Sequence, residues 1–230
     1  MSAAASGWGW SAREDDVVGV VLAVVFDLGG AVALPPEERV RGWVGAARDG
    51  DPDAARQLYR AHVAKVYRAV RPLCRDDAEA EDVTQETFAR ALEALDTYAP
   101  REGVRFVSWL LAIAMNVARK SHARRRRAVP TDPQTLDERD GGPDQDPGAA
   151  IDRRTLRAAL LAALESLAPR EREVVSLQYG GELTAKEIGE LTGLEHAHVR
   201  KIAERARDAL RREIERALAP RARTTTEEAR

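Results

Sequence analysis

The sequence predicts an all-α protein: two small helical domains joined by a flexible acidic linker, the second domain a helix-turn-helix. Three observations predict it. Apolar residues recur at helical spacing through almost everything after Pro36. Between Val129 and Ala149 lie Pro130, Pro133, Pro143, Pro147 and Gly141-Gly142 with almost no large apolar side chain. Such a segment cannot bury enough surface to offset its ordering entropy. Beyond it, a capped short helix, a turn glycine and a long basic helix follow one another between Thr184 and Leu210. The expected division is an N-terminal extension over 1–36, a first domain over 37–128, the linker over 129–150, a second domain over 151–219 and a tail over 220–230.

The extension carries an apolar run, Val17 to Phe26, resuming through Leu34. Glu14-Asp15-Asp16 stand where a secretory signal needs bases. Asp27 and Gly29-Gly30 interrupt the run, which argues against a membrane span and for a poorly ordered extension. The first domain opens on Asp51-Pro52, an N-cap followed by proline at the first helical position. Ala55, Leu58, Tyr59, Val63, Val66, Tyr67 and Val70 then recur at helical spacing until Pro72 ends the helix. A second helix starts near Asp77, with an apolar stripe of Val83, Thr87, Phe88, Ala91, Leu92 and Leu95. Glu79, Asp82, Gln85, Glu86 and Glu93 form the opposite face. Tyr98 to Gly103 reads as a loop. A third helix buries Phe106, Trp109, Leu110, Ile113 and Val117 and runs into an arginine block. Trp109 is either core or a platform for a stacked base; its spacing with Phe106 and Ile113 favours core.

Net charge is only −2 over 230 residues, so the distribution matters more than the sum. Arg119 to Arg127 holds six basic residues and no acidic one, whereas Thr131 to Asp146 holds six acidic residues against Arg139. Blocks of opposite sign mark surfaces with different partners. The single cysteine, Cys74, has no internal disulfide partner, which fits a reducing cytoplasm.

The second domain begins with Leu156, Leu160, Leu161, Leu164 and Leu167 at helical spacing. Pro169 opens a helix bearing Val174, Val175, Leu177 and Tyr179, closed by Gly180-Gly181. Thr184-Ala185-Lys186-Glu187 is a capping box. Ile188 and Leu191 point inward from the helix it starts, and Gly193 supplies the positive φ of a tight turn. The next helix repeats Val199, Ala203, Ala206 and Leu210. This is the geometry that lays a second helix in a DNA major groove. His196, His198, Arg200, Lys201, Glu204 and Arg205 lie off the apolar stripe, where they reach base edges and phosphates.

Three motif sets give the chain a resemblance to the extracytoplasmic-function sigma factors, the minimal two-domain group of the sigma-70 family. They are Asp77-Ala78-Glu79-Ala80-Glu81-Asp82-Val83-Thr84-Gln85-Glu86-Thr87-Phe88 with Arg90-Ala91-Leu92; Phe106-x-x-Trp109-Leu110 with Ile113-Ala114-x-Asn116; and Leu167 to Val175 with Ala185-Lys186-Glu187-Ile188-Gly189 and Gly193-Leu194. The resemblance implies that Asp82, Gln85 and Glu86 dock on the clamp helices of the largest subunit of core RNA polymerase. It implies that Asn116, Arg119, Lys120, Arg124 and Arg125 hold the minus-ten element, beside a Tyr98–Arg105 loop that receives a flipped base. The second domain resembles sigma region four, a winged-helix-like helix-turn-helix, and would read the minus-thirty-five element and meet the polymerase flap. The resemblance leaves room for an anti-sigma protein as a further partner. It implies no cofactor, metal ion, small-molecule substrate or catalytic step, and a cytoplasmic setting. Departures are Glu195-His196 and Ala197-His198 at the start of the recognition helix, Ile202 where a base is frequent, Ala203 for a larger apolar residue, and Val107 for a polar one.

Three rival readings remain open, one of them a membrane-tethered member of the same family using Val17 to Leu34. A helix-turn-helix regulator acting without polymerase would not need the acidic helix and arginine block. A DNA-processing enzyme would need a metal cluster, Walker loop or nucleophile motif. His196 and His198, two residues apart, do not share a helix face.

Overall fold

The computed structural model describes residues 34–100, 105–127 and 153–218. The extension up to residue 33, the linker between 128 and 152 and the tail from 219 lie outside the described residues. The described residues hold α1 (Glu37–Arg48), α2 (Pro52–Val70), α3 (Asp77–Glu93), α4 (Phe106–Arg127), α5 (Arg153–Ser166), α6 (Pro169–Val175), α7 (Ala185–Thr192) and α8 (His196–Leu218), and no strand.

Local chemistry sets the boundaries. The Asp51 carboxylate accepts from the amides of Asp53 and Ala54, with Pro52 in the first turn, so α2 starts there. Pro72 cannot donate its amide to the helix, and the chain tightens into a single 3-10 turn over Arg71–Leu73. The Asp76 side chain accepts from the Glu79 amide at 2.7 Å and starts α3. Val40, Val44, Leu58, Val66, Val70, Val83, Phe88, Leu95, Phe106 and Leu110 are buried and form the first core. Arg48 ties α1 to the turn after α3, donating to the Leu95 carbonyl at 3.1 and 2.8 Å. A second core lies along the far half of α8, where Leu160, Leu164, Leu167 and Val175 meet Ala206, Leu210 and Ile214.

The two helical groups are not separate. One continuous cluster joins Val66, Val107, Leu110, Leu111 and Met115 to Val174, Leu177, Leu183, Ile188 and Val199. The reason lies in α4, which is apolar on more than one side. Phe106, Leu110 and Val117 are buried, and so are Val107, Leu111, Ala114, Met115 and Ala118. A helix buried nearly all round needs partners on both sides, and the second group supplies one of them.

Three sequence expectations are corrected. Leu92 is not in the α3 core stripe but 43% exposed. At about 100° per residue it lies half a turn round the helix from Val83. Glu79 does not belong to the free acidic face: it accepts from Ser121 Oγ at 2.8 Å and is paired with Arg125. The helix opened by Pro169 does not run regularly to Gly180; it is α-helical to Val175 and widens into a π turn over Ser176–Gly180.

Candidate nucleic-acid interface and docking face

The helix-turn-helix is built by its capping box. Thr184 Oγ1 accepts from the Glu187 amide at 3.3 Å, and Glu187 Oε2 accepts from the Thr184 amide at 2.8 Å. Gly193 takes φ +72° and ends α7. Gly189, part of the Ala185–Gly189 motif, is equally necessary: a Cβ there would lie 2.6 Å from the Leu194 carbonyl oxygen. No side chain other than hydrogen fits where α7 and the turn approach so closely. Val199, Ala203, Ala206 and Leu210 of α8 are buried, and Ile202 is half-buried against the core. His196, His198, Arg200, Lys201, Glu204 and Arg205 are all exposed, on the first two-and-a-half turns of α8.

On α3, Asp82, Gln85 and Glu86 are exposed together. Glu86 pairs with Arg90 one turn on, at 2.6 Å, an exposed i,i+4 contact of small energetic weight. The patch has an apolar margin that periodicity did not separate from the core. Leu92 is exposed, and Tyr59 of α2, 40% exposed, packs its ring edge on Phe88 at a centroid distance of 4.8 Å.

The α4 candidates are less free. Asn116, Arg119, Lys120 and Arg124 are exposed and Arg125 is half-buried. Arg119 Nη2 donates to Asn116 Oδ1 at 2.5 Å, while Nη1 donates to Glu173 Oε1 of α6 at 2.9 Å. Arg125 is held by Glu79 of α3. Trp109 is half-buried between Tyr98 and Phe106, with centroids 5.2 and 5.4 Å away, which makes it a margin of the core.

Further pairs cross between the groups. Arg105 Nε donates to Glu187 Oε1 at 2.7 Å, and Ser108 Oγ to the same oxygen at 3.2 Å. Lys65 Nζ donates to Glu182 Oε2 at 2.5 Å, with Arg68 3.7 Å from the other oxygen. Burial tends to raise the Glu187 pKa, but the Arg105 and Thr184 donors outweigh it and hold the carboxyl below its ordinary range. Burial lowers the Lys65 pKa against the opposing pull of Glu182. His62, on the same helix, is lowered by burial although its ring meets the Leu58 carbonyl at 2.9 Å. Between α4 and α6 runs a groove of about 360 Å³ floored by Leu73, Met115, Ala118 and Pro169. Among the described residues no helix is long and apolar enough to cross a membrane.

A small helical body carrying an exposed acidic face, an arginine-rich helix and a capped helix-turn-helix has the features of a DNA-binding protein. The comparisons with known proteins narrow the class. Residues 58–128 match the family description Sigma-70 region 2, and residues 163–212 match Sigma-70, region 4. RNA polymerase sigma factor CarQ of Myxococcus xanthus is 35% identical over 167 residues, 71% of this chain and 91% of CarQ. ECF RNA polymerase sigma factor SigE of Mycolicibacterium smegmatis is 35% identical over 159 residues, 67% of this chain and 59% of SigE. Among solved structures, CnrH in complex with the cytosolic domain of CnrY aligns with TM-score 0.55 at 22% identity, over 77% of this chain and 98% of that one. The sigma factor RpoE in complex with the anti-sigma factor NepR from Bartonella quintana aligns with TM-score 0.55 at 19% identity, over 70% and 96%. At such identities the two structures speak for the fold. The chain belongs to the sigma-70 family, in its extracytoplasmic-function group.

Proposed function

We propose that this chain is an RNA polymerase sigma factor that binds core polymerase, recognises promoter DNA and directs its opening for transcription initiation. The observation that carries the reading is the coexistence, in one chain, of the exposed Asp82–Gln85–Glu86 face with the fully exposed recognition face of α8. A regulator acting on DNA alone has no use for the first. In this reading Asp82, Gln85 and Glu86 dock on the clamp helices of the largest polymerase subunit. Asn116, Arg119, Lys120, Arg124 and Arg125 hold DNA at the minus-ten element. His196, His198, Arg200, Lys201, Glu204 and Arg205 face the minus-thirty-five element, with the flap region beside them. The family likeness supports each assignment.

The linker sets the span. Its roughly 20 residues reach at most ~70 Å, which is also the length of about two duplex turns. The two domains, 37–128 and 151–219, therefore serve elements about two turns apart. The setting is cytoplasmic, where polymerase and promoter are, and the chain works through polymerase with no chemical step of its own. The test is run-off transcription with core polymerase and mapped start sites. The reading predicts defined starts only when chain and core are both present. Sequence-selective DNA binding by the chain, with no effect of added core on start selection, would favour the independent regulator.

A further inference from the structure

We propose that the groove between α4 and α6 is a docking site for the chain's own N-terminal extension: the aliphatic run Val17–Phe26 fills it, and Glu14, Asp15 and Asp16 meet the arginines at its rim. The proposal goes beyond the sigma-factor reading and does not depend on it.

The groove has two kinds of lining. Leu73, Met115, Ala118 and Pro169 floor a space of about 360 Å³, within the ordinary size range of ligand pockets. Arg119, Arg170 and Arg172 stand around it, against Glu173 as the single carboxylate among the described lining residues. Arg119 and Arg170 both donate to Glu173, each at 2.9 Å. Arg172 donates to the uncharged carbonyls of Glu165 and Leu167, and its Nε is buried with no partner among the described residues. Burial lowers the Arg172 pKa; Glu165 opposes the shift and Arg125, close by, adds to it. The rim therefore carries positive charge that its own carboxylate does not match, and a cleft lined by one sign of charge draws the other.

Three long segments lie outside the described residues, and their compositions differ. Residues 128–152 are acidic but hold almost no large apolar side chain. The tail from 219 to 230 has no large apolar side chain and more bases than acids. The extension joins both features: Glu14-Asp15-Asp16 directly precede Val17–Phe26, a run of ten residues with six valines and no charge. Left in water, such a run pairs readily with other copies of itself. Covering it within its own chain removes that hazard.

Reach and order agree with the fit. The described chain begins at Leu34, which packs on the first core. Glu37 then accepts from the Phe106 amide at 3.2 Å, so the extension departs beside the N-terminal end of α4. At ~1.5 Å per residue, Met115 lies about 14 Å and His122 about 24 Å along α4 from Phe106. The stretch from Leu34 back to Phe26 reaches up to ~28 Å, and the stretch back to Val17 reaches further. Traced back from Leu34, the apolar run comes first and the acids after it. Traced along α4 from Phe106, Met115 and Ala118 come first and Arg119 and Arg125 after them.

The experiment uses the free full-length chain carrying Phe26→p-benzoylphenylalanine, which on irradiation inserts into C–H bonds that it touches. Peptide mapping reads the contact, and hydrogen exchange reads whether the amides of residues 17–26 are covered. Two further chains add either Val21→Asp with Val24→Asp, or Glu14→Lys with Asp15→Lys and Asp16→Lys. None of these positions belongs to the two described cores, so helical circular dichroism should be unchanged. The parent chain should cross-link within one molecule, into the peptides that hold Met115 or Pro169. Its amides over 17–26 should exchange at least tenfold more slowly than those of the aspartate variant. The aspartates should abolish the cross-link, and the lysines should lower its yield at least threefold. A parent chain without the groove cross-link overturns the proposal, whether the label is found on a second copy, on another surface or, with vesicles of phosphatidylethanolamine and phosphatidylglycerol present, on lipid. A yield that either set of substitutions leaves unchanged also overturns it. No polymerase or DNA is present, so neither result bears on the sigma-factor reading, which run-off transcription tests separately.

Discussion

The acidic face of α3 and the basic face of α4 lie on adjacent, antiparallel-packed helices of one domain, yet they stand in opposite states. Asp82, Gln85 and Glu86 are exposed, and Glu86 pairs with Arg90 of its own helix. Arg119 and Arg125 are engaged by carboxylates of other elements, Glu173 and Glu79. The difference teaches that charge pattern alone does not say which side chains are engaged: the acidic set is exposed as folded, while two of the basic set already pair with carboxylates of α6 and α3.

The largest expected effect is on the exposed acidic face. Reversing both charges, Asp82→Lys with Glu86→Lys, should abolish co-purification with core polymerase, a loss of at least about 3 kcal/mol in the range measured for opposed charges at interfaces. Stability should change by less than about 1 kcal/mol, because the Glu86–Arg90 pair it breaks is exposed. Normal co-purification would move the docking face elsewhere.

Glu187 comes next, since it serves both the α7 cap and the contact with Arg105 and Ser108 across the two helical groups. Glu187→Ala should cost about 2–4 kcal/mol in urea unfolding, combining a lost cap with a lost charge-assisted bond. Thr184→Ala should cost only about 1 kcal/mol, because Arg105 still holds the Glu187 carboxylate. Equal losses would mean that the contact across the groups carries no weight. Because the Glu187 pKa is depressed, its contribution is present above pH 4.5 and is lost as pH falls through the folded value.

The α8 face separates reading from stability. Arg200→Ala should cost about 1–3 kcal/mol in promoter binding by holoenzyme and relax preference at one base pair. Lys201→Ala should weaken all promoters alike and lower the salt slope by about one. Both should stay within about ±0.5 kcal/mol in stability, being exposed and off the apolar stripe. Wild-type affinity and base preference in both would place the recognition surface on other residues.

The smallest effect is the titration of His62. Its pKa is lowered from 6.5, so the folded chain disfavours the proton that the unfolded chain accepts. Stability should therefore decline as pH falls below about 6.5 and level off below the folded value. His62→Phe should flatten that slope and leave the Glu187 loss at more acidic pH untouched. A slope unchanged by the substitution would assign it to other groups.

Much of this could be read from the sequence, for a physical reason. Caps and turns are local: Asp51-Pro52, Thr184–Glu187 and Gly193 announce themselves within four residues. Periodicity also isolates the α3 and α8 faces, because a polar run opposite an apolar stripe has one orientation. What periodicity does not supply is the partner of a buried face. Val107, Leu111 and Met115 form a second apolar line on α4, and Val107 stands where the family usually has a polar residue. That line was the available sign that α4 meets two neighbours. Arg105 with Glu187 and Lys65 with Glu182 are far apart in sequence, and charge pairs at such separations leave no local signature. Gly180 does end its helical segment, as glycine commonly does, but its close backbone approach to Arg68 leaves no local signature.

The sigma-factor reading can be tested directly by run-off transcription with core polymerase on a promoter template, comparing the wild-type chain with the Asp82→Lys, Glu86→Lys double variant. The account predicts defined start sites with the wild-type chain and core together, and loss of both co-purification and starts in the variant while its helical circular dichroism is kept. Start selection indifferent to the α3 reversal would contradict the account.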